Sequence, residues 1–375
     1  MKTSTRTMRC ITASFALACA LGGALNARAD DGTYQQRNLI SDGFLPAEQP
    51  PDPNLVNAWG IAFNPFGPVW VADNGTGLST LYDGDGHVQG LVVQIPTPSD
   101  LSGGTPTGIV FNASTSTTSF VVTNPAVGGT SGPSKFLFAT EDGVIAGWAP
   151  SVDIHQAFVA VATDGAVYKG IALSAGGAGQ LLYATDFANA RVDVFDSTFT
   201  PASLPAGAFT DPNLPAGYAP FGIQAIAGDI FVTYAKQVAG SDDEAHGPGL
   251  GVVDVYDPNG VLLDRVATHG SLNAPWGIAM APAGFGKFSN TLLVGNFGDG
   301  RINAFDARTY ESLGQLKGSD HKAIQIDGLW GIAFGNGIAD QPVNTLFFAA
   351  GPDDENHGLY GRLDATPGSS HGGGD

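Results

Sequence analysis

The chain has 375 residues, 43% of them hydrophobic, and sets 35 acidic side chains against 16 basic ones, for a formal net charge of −19. So negative a surface repels nucleic acid and anionic membranes and favours cations or neutral molecules. The same charge also serves simply to keep a protein soluble, and the sequence leaves both readings open.

Residues 1–29 read as an export leader. Lys2, Arg6 and Arg9 form a basic start, an apolar run follows from Ile11 to Leu25, and Ala27-Arg28-Ala29 supplies the small residues of a cleavage site. Cys10 and Cys19 both lie inside this leader, with lipidation of Cys19 as the competing reading. Four of the 16 basic residues (Lys2, Arg6, Arg9, Arg28) leave with it, so 12 remain against 35 acidic ones. A chain without cysteine excludes disulfides and thiolate metal sites. No other stretch approaches the ~20 apolar residues of a membrane span. The expectation is a secreted monomer, extracellular or periplasmic, with one domain at 30–365 and a disordered polar tail at 366–375.

Beyond the leader one unit recurs six times, and a fixed period decides architecture before any local detail. A glycine followed by small apolar residues stands at Trp59-Gly60-Ile61, Thr107-Gly108-Ile109, Lys169-Gly170-Ile171, Phe221-Gly222-Ile223, Trp276-Gly277-Ile278 and Trp330-Gly331-Ile332. The glycines are 48, 62, 52, 55 and 54 residues apart, about one propeller blade each. Second apolar runs follow at Val69–Ala72, Phe120–Thr123, Leu182–Thr185, Phe231–Tyr234, Leu292–Gly295 and Phe347–Ala350. Third runs end in phrases such as Val192-Asp193-Val194-Phe195-Asp196 and Val253-Asp254-Val255-Tyr256-Asp257. Short β-branched and aromatic runs bounded by Gly, Asn, Asp and Pro are strands and turns. The fold expected is all-β, a six-bladed β-propeller. Its last blade lacks an outer strand on the C-terminal side, which Tyr34–Ser41 can supply, so closing the ring and removing an open edge.

Comparing blades at equal positions exposes the candidate site. The residue before the repeat glycine is Trp59, Thr107, Lys169, Phe221, Trp276 or Trp330: an aromatic ring about one cation. It reads either as a surface for a flat aromatic ligand or sugar face, or as core wedged between blades. The residue after the second run is Asp73, Asn124, Asp186, Ala235, Asn296 or Gly351, a polar ring or a set of turn caps. Tyr234 stands beside that position in blade four.

Blades four and six carry matching acidic loops, Asp242-Asp243-Glu244-Ala245-His246-Gly247 and Asp353-Asp354-Glu355-Asn356-His357-Gly358. Asp243, Glu244, His246, Asp354, Glu355 and His357 are candidate ligands for a divalent metal: carboxylates favour calcium, an imidazole moves the balance towards zinc. The same loops also read as an acid–base pair, or as solvated surface. No phosphate loop and no Gly-x-Ser-x-Gly elbow occurs, so neither a nucleotide cofactor nor a serine hydrolase is supported.

Three phrases, Leu272-Asn273-Ala274-Pro275-Trp276-Gly277-Ile278-Ala279, Leu293-Val294-Gly295-Asn296-Phe297-Gly298-Asp299-Gly300 and Gly328-Leu329-Trp330-Gly331 with His357-Gly358-Leu359-Tyr360-Gly361, resemble a family of secreted bacterial six-bladed propellers. Some members of that family end in a PEP-CTERM sorting tail, which this chain lacks. More distantly, Asp186-Phe187-Ala188-Asn189-Ala190-Arg191-Val192 is similar to the NHL repeat, and the fold is similar to the regucalcin-like lactonases. Those enzymes hold a metal through a Glu, an Asn before the repeat glycine and an Asp. Here Trp, Thr, Lys or Phe stands before the glycine, so that site is not carried over.

These features point to a secreted lyase or hydrolase cleaving a C–O bond in an aromatic (lignin-type aryl ether) or carbohydrate-like substrate. Lys169, His246, His357 and Glu355 are the catalytic candidates. Trp59, Thr107, Phe221, Trp276, Trp330, Tyr234, Asn124 and Asn296 are the candidates for substrate binding. A non-enzymatic binding or scaffold propeller with structural calcium is the alternative.

Overall fold

Six antiparallel sheets stand around a central axis in the computed structural model, which describes residues 32–126, 128–176 and 179–366. The leader expected at residues 1–29 and the tail expected from 366 onward fall, but for Thr366, outside the described residues. The molecule is a six-bladed β-propeller. Blade one runs outward through Ala58–Ala62, Val69–Asp73, Leu78–Tyr82 and Val93–Gln94. The innermost strands of the other blades are Pro106–Phe111, Tyr168–Gly176, Tyr218–Ile226, Pro275–Met280 and Leu329–Phe334. Each contains the repeat glycine.

That glycine has one structural job throughout the ring. A Cβ on Gly60 would lie 2.6 Å from Thr107 O, and one on Gly222 would lie 2.1 Å from Trp276 O. On Gly277 it would meet Trp330 O at 2.5 Å, and on Gly331 it would meet Trp59 O at 2.6 Å, so the series closes on itself. Six inner strands can crowd the axis only where no side chain intervenes.

Each interface between neighbouring blades is its own hydrophobic core. Trp70 of blade one stacks on Phe136 of blade two with ring centroids 4.1 Å apart. Tyr183 and Tyr218 help fill the seam between blades three and four, and Phe348 and Phe285 that between six and five. The strand Tyr34–Ser41 pairs antiparallel with Leu359–Ala365 and completes blade six, closing the ring by joining its two ends.

Blade two departs from the sequence expectation. The run Phe120–Thr123 is not its second strand: Val121–Asn124 pairs with Thr130–Pro133 in a separate hairpin. The second strand is Phe136–Thr140, followed by Val144–Trp148 and Phe158–Ala162. This inserted hairpin accounts for the long interval between Gly108 and Gly170. The residue after the second strand of blade two is therefore Glu141, not Asn124.

Candidate functional site

The residues before the repeat glycines all sit at one end of the axis, and all are buried. Trp59 stacks on Trp330 at 3.6 Å, Trp330 stacks on Phe297 at 3.8 Å, and Trp276 meets both tryptophans edge-on. Phe221 and Phe187 complete a cluster that plugs the channel. Of the two readings of this aromatic ring, binding surface or core, the structure shows the core. These faces are consumed by one another, because stacking across a narrow axis removes more apolar surface than leaving it wet. Thr107 is likewise buried, donating to Tyr168 O at 2.8 Å.

Two other substrate-binding candidates lie away from this end of the channel. Tyr234 is inside the core of blade four, its hydroxyl 2.6 Å from that of Tyr256. Asn124 caps the inserted hairpin by accepting from Ala126 N at 3.0 Å. Asn296 is buried and donates to Ser271 O and Asp299 Oδ1, which makes it a turn residue.

Against the aromatic plug lies a polar network that ties four blades together. Lys169 is 3% exposed, and its ammonium donates to Glu141 Oε1 at 2.6 Å. It also lies 5.1 Å from the Trp59 ring centroid, a cation–π contact. Glu141 Oε2 accepts from Asn74 Nδ2 at 2.8 Å. Asn57 Nδ2 donates to Asn74 Oδ1 at 3.2 Å and to Glu355 Oε2 at 2.7 Å. Trp330 Nε1 donates to Asn57 Oδ1 at 3.2 Å, so the plug holds the network in place. Lys169, Glu141, Asn74, Asn57 and Glu355 form one unbroken hydrogen-bonded chain.

Electrostatics add the acidic loop of blade four. Burial alone would push the Lys169 ammonium down, but the fields of Glu141, Glu244 and Glu355 outweigh it and raise its pKa. Burial pushes the Glu355 carboxyl up to about 7, with Asn57 and Lys169 opposing and Glu244 and Glu141 adding to the rise. His246 is half-exposed beside Glu244, with Nε2 3.3 Å from Glu244 Oε1, and that contact raises its pKa. Glu355 and Asp354 contribute to the same rise, so the acidic loops of blades four and six lie within electrostatic reach of each other. Asp353, Asp354 and Glu355 all have positive φ (58°, 49° and 66°), a strained backbone of the kind that gathers at functional sites.

Two sequence expectations change at this site. Lys169, expected as a catalytic residue, is buried with its ammonium paired to Glu141. His357 turns away from the axis: its Nδ1 lies 2.6 Å from Asp42 Oδ2, and its ring stacks on Phe44 at 4.0 Å. The six residues expected to ligate a metal also do not converge. Asp243 accepts from Ser241, Glu244 faces His246, Glu355 faces Asn57 and His357 faces Asp42. Among the described residues no three His, Asp or Glu side chains are arranged to hold a metal ion.

Glu141, Asn57 and Asn74 were not among the expected site residues. The phrase Thr140-Glu141-Asp142-Gly143, a turn following an apolar strand, was the available signal for the first of them.

No family model matches the chain. It is 33% identical over 322 residues to "Uncharacterized protein R648" of Acanthamoeba polyphaga mimivirus, covering 83% of this chain and 76% of that protein. It is 30% identical over 344 residues to "Uncharacterized protein L690" of the same virus, covering 88% and 86%. Among solved structures it resembles a glucose dehydrogenase at a TM-score of 0.51 with 13% identity, covering 89% of this chain and 99% of that one. The apo form of the soluble aldose sugar dehydrogenase of Escherichia coli gives a TM-score of 0.50 with 12% identity, covering 89% and 100%. At such identities the likeness shows the fold alone. The relatives found by sequence are viral, where the sequence resemblance pointed to secreted bacterial proteins. The chain belongs to one family with these two mimivirus proteins.

Proposed function

We propose that this protein is an acid–base enzyme, a lyase or hydrolase that cleaves a C–O bond in a neutral, hydroxyl-rich, carbohydrate-like substrate. The observation that carries the reading is the hydrogen-bonded chain Lys169–Glu141–Asn74–Asn57–Glu355 at one end of the axis, with the charge of Glu244 acting on both its ends. A carboxyl that titrates near neutrality can take a proton from carbon or from water at pH 7, and that is the role of Glu355. His246, held protonated by Glu244, gives its proton to the departing oxygen. In elimination the C–H pair becomes the new double bond as the C–O bond breaks, so one proton enters at Glu355 and one leaves from His246. Lys169, Glu141, Asn74 and Asn57 hold the base in place.

Burial of the tryptophans removes the ground for an aromatic substrate, and the excess of carboxylates disfavours an anionic one. The leader-like residues 1–29 support a secreted setting. A panel of glycosides, polyol esters and lactones tests the reading. For any compound turned over, Glu355→Gln and His246→Gln should each lower kcat by about 10²-fold or more, the usual weight of a positioned acid or base. Turnover that survives both substitutions would overturn it.

A further inference from the structure

The other end of the axis is open, and it carries a second site. Past a constriction of about 30 Å³ lined by Gly60, Gly108, Gly277 and Gly331, the channel widens into a cavity of about 390 Å³. We propose that this cavity binds a compact, uncharged molecule with an apolar body, such as a small one- or two-ring compound.

Three observations carry the inference. First, five of the six blades place a large apolar residue three positions after the repeat glycine, Phe63, Phe111, Leu173, Met280 and Phe334, and blade four places Ala225 there with Ile226 beside it. Second, among the described residues no Asp, Glu, Lys or Arg lines the cavity, in a chain with 35 acidic side chains, and Gln224 is the one polar side chain there. A charged ligand would lose its hydration there without a partner, at a cost of several kcal/mol, whereas a neutral one would not. Third, each innermost strand pairs only with the second strand of its own blade, so its other edge turns backbone N–H and C=O groups towards the axis. Those groups supply hydrogen bonds to a hydroxyl or carbonyl on an otherwise apolar guest. The volume is within the range of small-molecule pockets, and the aromatic plug beyond the glycines makes the cavity blind.

The test is fluorescence titration with N-phenyl-1-naphthylamine, a neutral probe that brightens in apolar sites. The protein should bind it saturably, one probe per chain. Ala333→Trp, at a half-buried lining position outside the core clusters, should weaken binding at least tenfold. Gln224→Trp, at an exposed lining position that tolerates size, should do the same while urea unfolding stays unchanged. Phe66→Ser removes the most exposed large apolar side chain, at 83%, and should leave binding intact. Absence of saturable binding by the unmodified protein would mean a water-filled channel and overturn the proposal. Undiminished binding by both tryptophan variants, or its loss in Phe66→Ser, would place the probe on the surface and overturn it equally.

Discussion

Glu355→Gln tests the electrostatics of the polar network without needing a substrate. The ordinary pKa of the carboxyl is 4.5, and burial raises it to about 7 in the folded chain. Between those two values the folded protein holds a proton that the unfolded chain releases, so stability falls as pH rises through that window. A difference of roughly 2.5 pH units is worth about 3 kcal/mol at 1.36 kcal/mol per unit. Glutamine cannot ionise, and its amide oxygen can still accept from Asn57. The variant should therefore match the parent near pH 4.5 and exceed it by up to ~3 kcal/mol at pH 8. In urea unfolding that is a midpoint gap of about 1 M, at a slope of ~3 kcal/mol per M. Asp254, also raised to about 7 by burial, titrates in both proteins and cancels in the difference. A gap that stays constant from pH 4.5 to 8 would refute the reasoning, because it would mean that Glu355 titrates normally. A variant less stable than the parent at pH 8 would mean that Lys169 holds the carboxylate charged.

Further expectations follow from the packing and from the same network. Gly222→Ala drives a Cβ to 2.1 Å from Trp276 O, a rigid backbone atom, and should cost about 3 kcal/mol by urea unfolding. Gly90→Ala, with nothing within 4 Å, should be neutral or slightly stabilising. Lys169→Met strands Glu141 among other carboxylates and should cost about 3 kcal/mol at pH 8. The same change should move the Glu355 transition to higher pH, because the Lys169 charge now lowers that pKa. His357→Ala should leave any turnover in place but free the segment from Asp42 to Phe44, seen as faster proteolysis there.

The architecture was legible because its signal is repeated six times and rests on backbone sterics. Gly60, Gly108, Gly170, Gly222, Gly277 and Gly331 mark where strands crowd the axis, and that requirement leaves no alternative residue. The closing strand Tyr34–Ser41 was legible as an unassigned stretch ahead of the first blade, where the last blade lacked an outer strand. The site was harder to read, because it depends on which way side chains point across blades. The residues before the repeat glycines were legible as one set compared across blades, but sequence cannot say how narrow the axis is where they stand. Six inner strands packed glycine to backbone leave room only for the aromatic rings themselves, so an apparent binding surface became core. Glu141 escaped notice because the inserted hairpin offered an earlier apolar run, Phe120–Thr123, before the true second strand.

The twin acidic loops show how far a repeated motif constrains function. In blade four, Glu244 is held at a strand position by pairing with Gln237, and the next apolar neighbour of His246 is Phe297 of the plug, 5.1 Å away. Its imidazole therefore stays at the axial site. In blade six the loop instead turns through three consecutive left-handed residues, and His357 is met by Asp42 and Phe44 from the segment just after the strand that closes the ring. The left-handed turn presents Glu355 to Asn57 while its neighbour His357 is claimed from outside. One loop thus contributes its histidine to the site and the other its carboxylate. The pair of roles an acid–base mechanism needs comes from two copies of one motif, separated by what packs behind each.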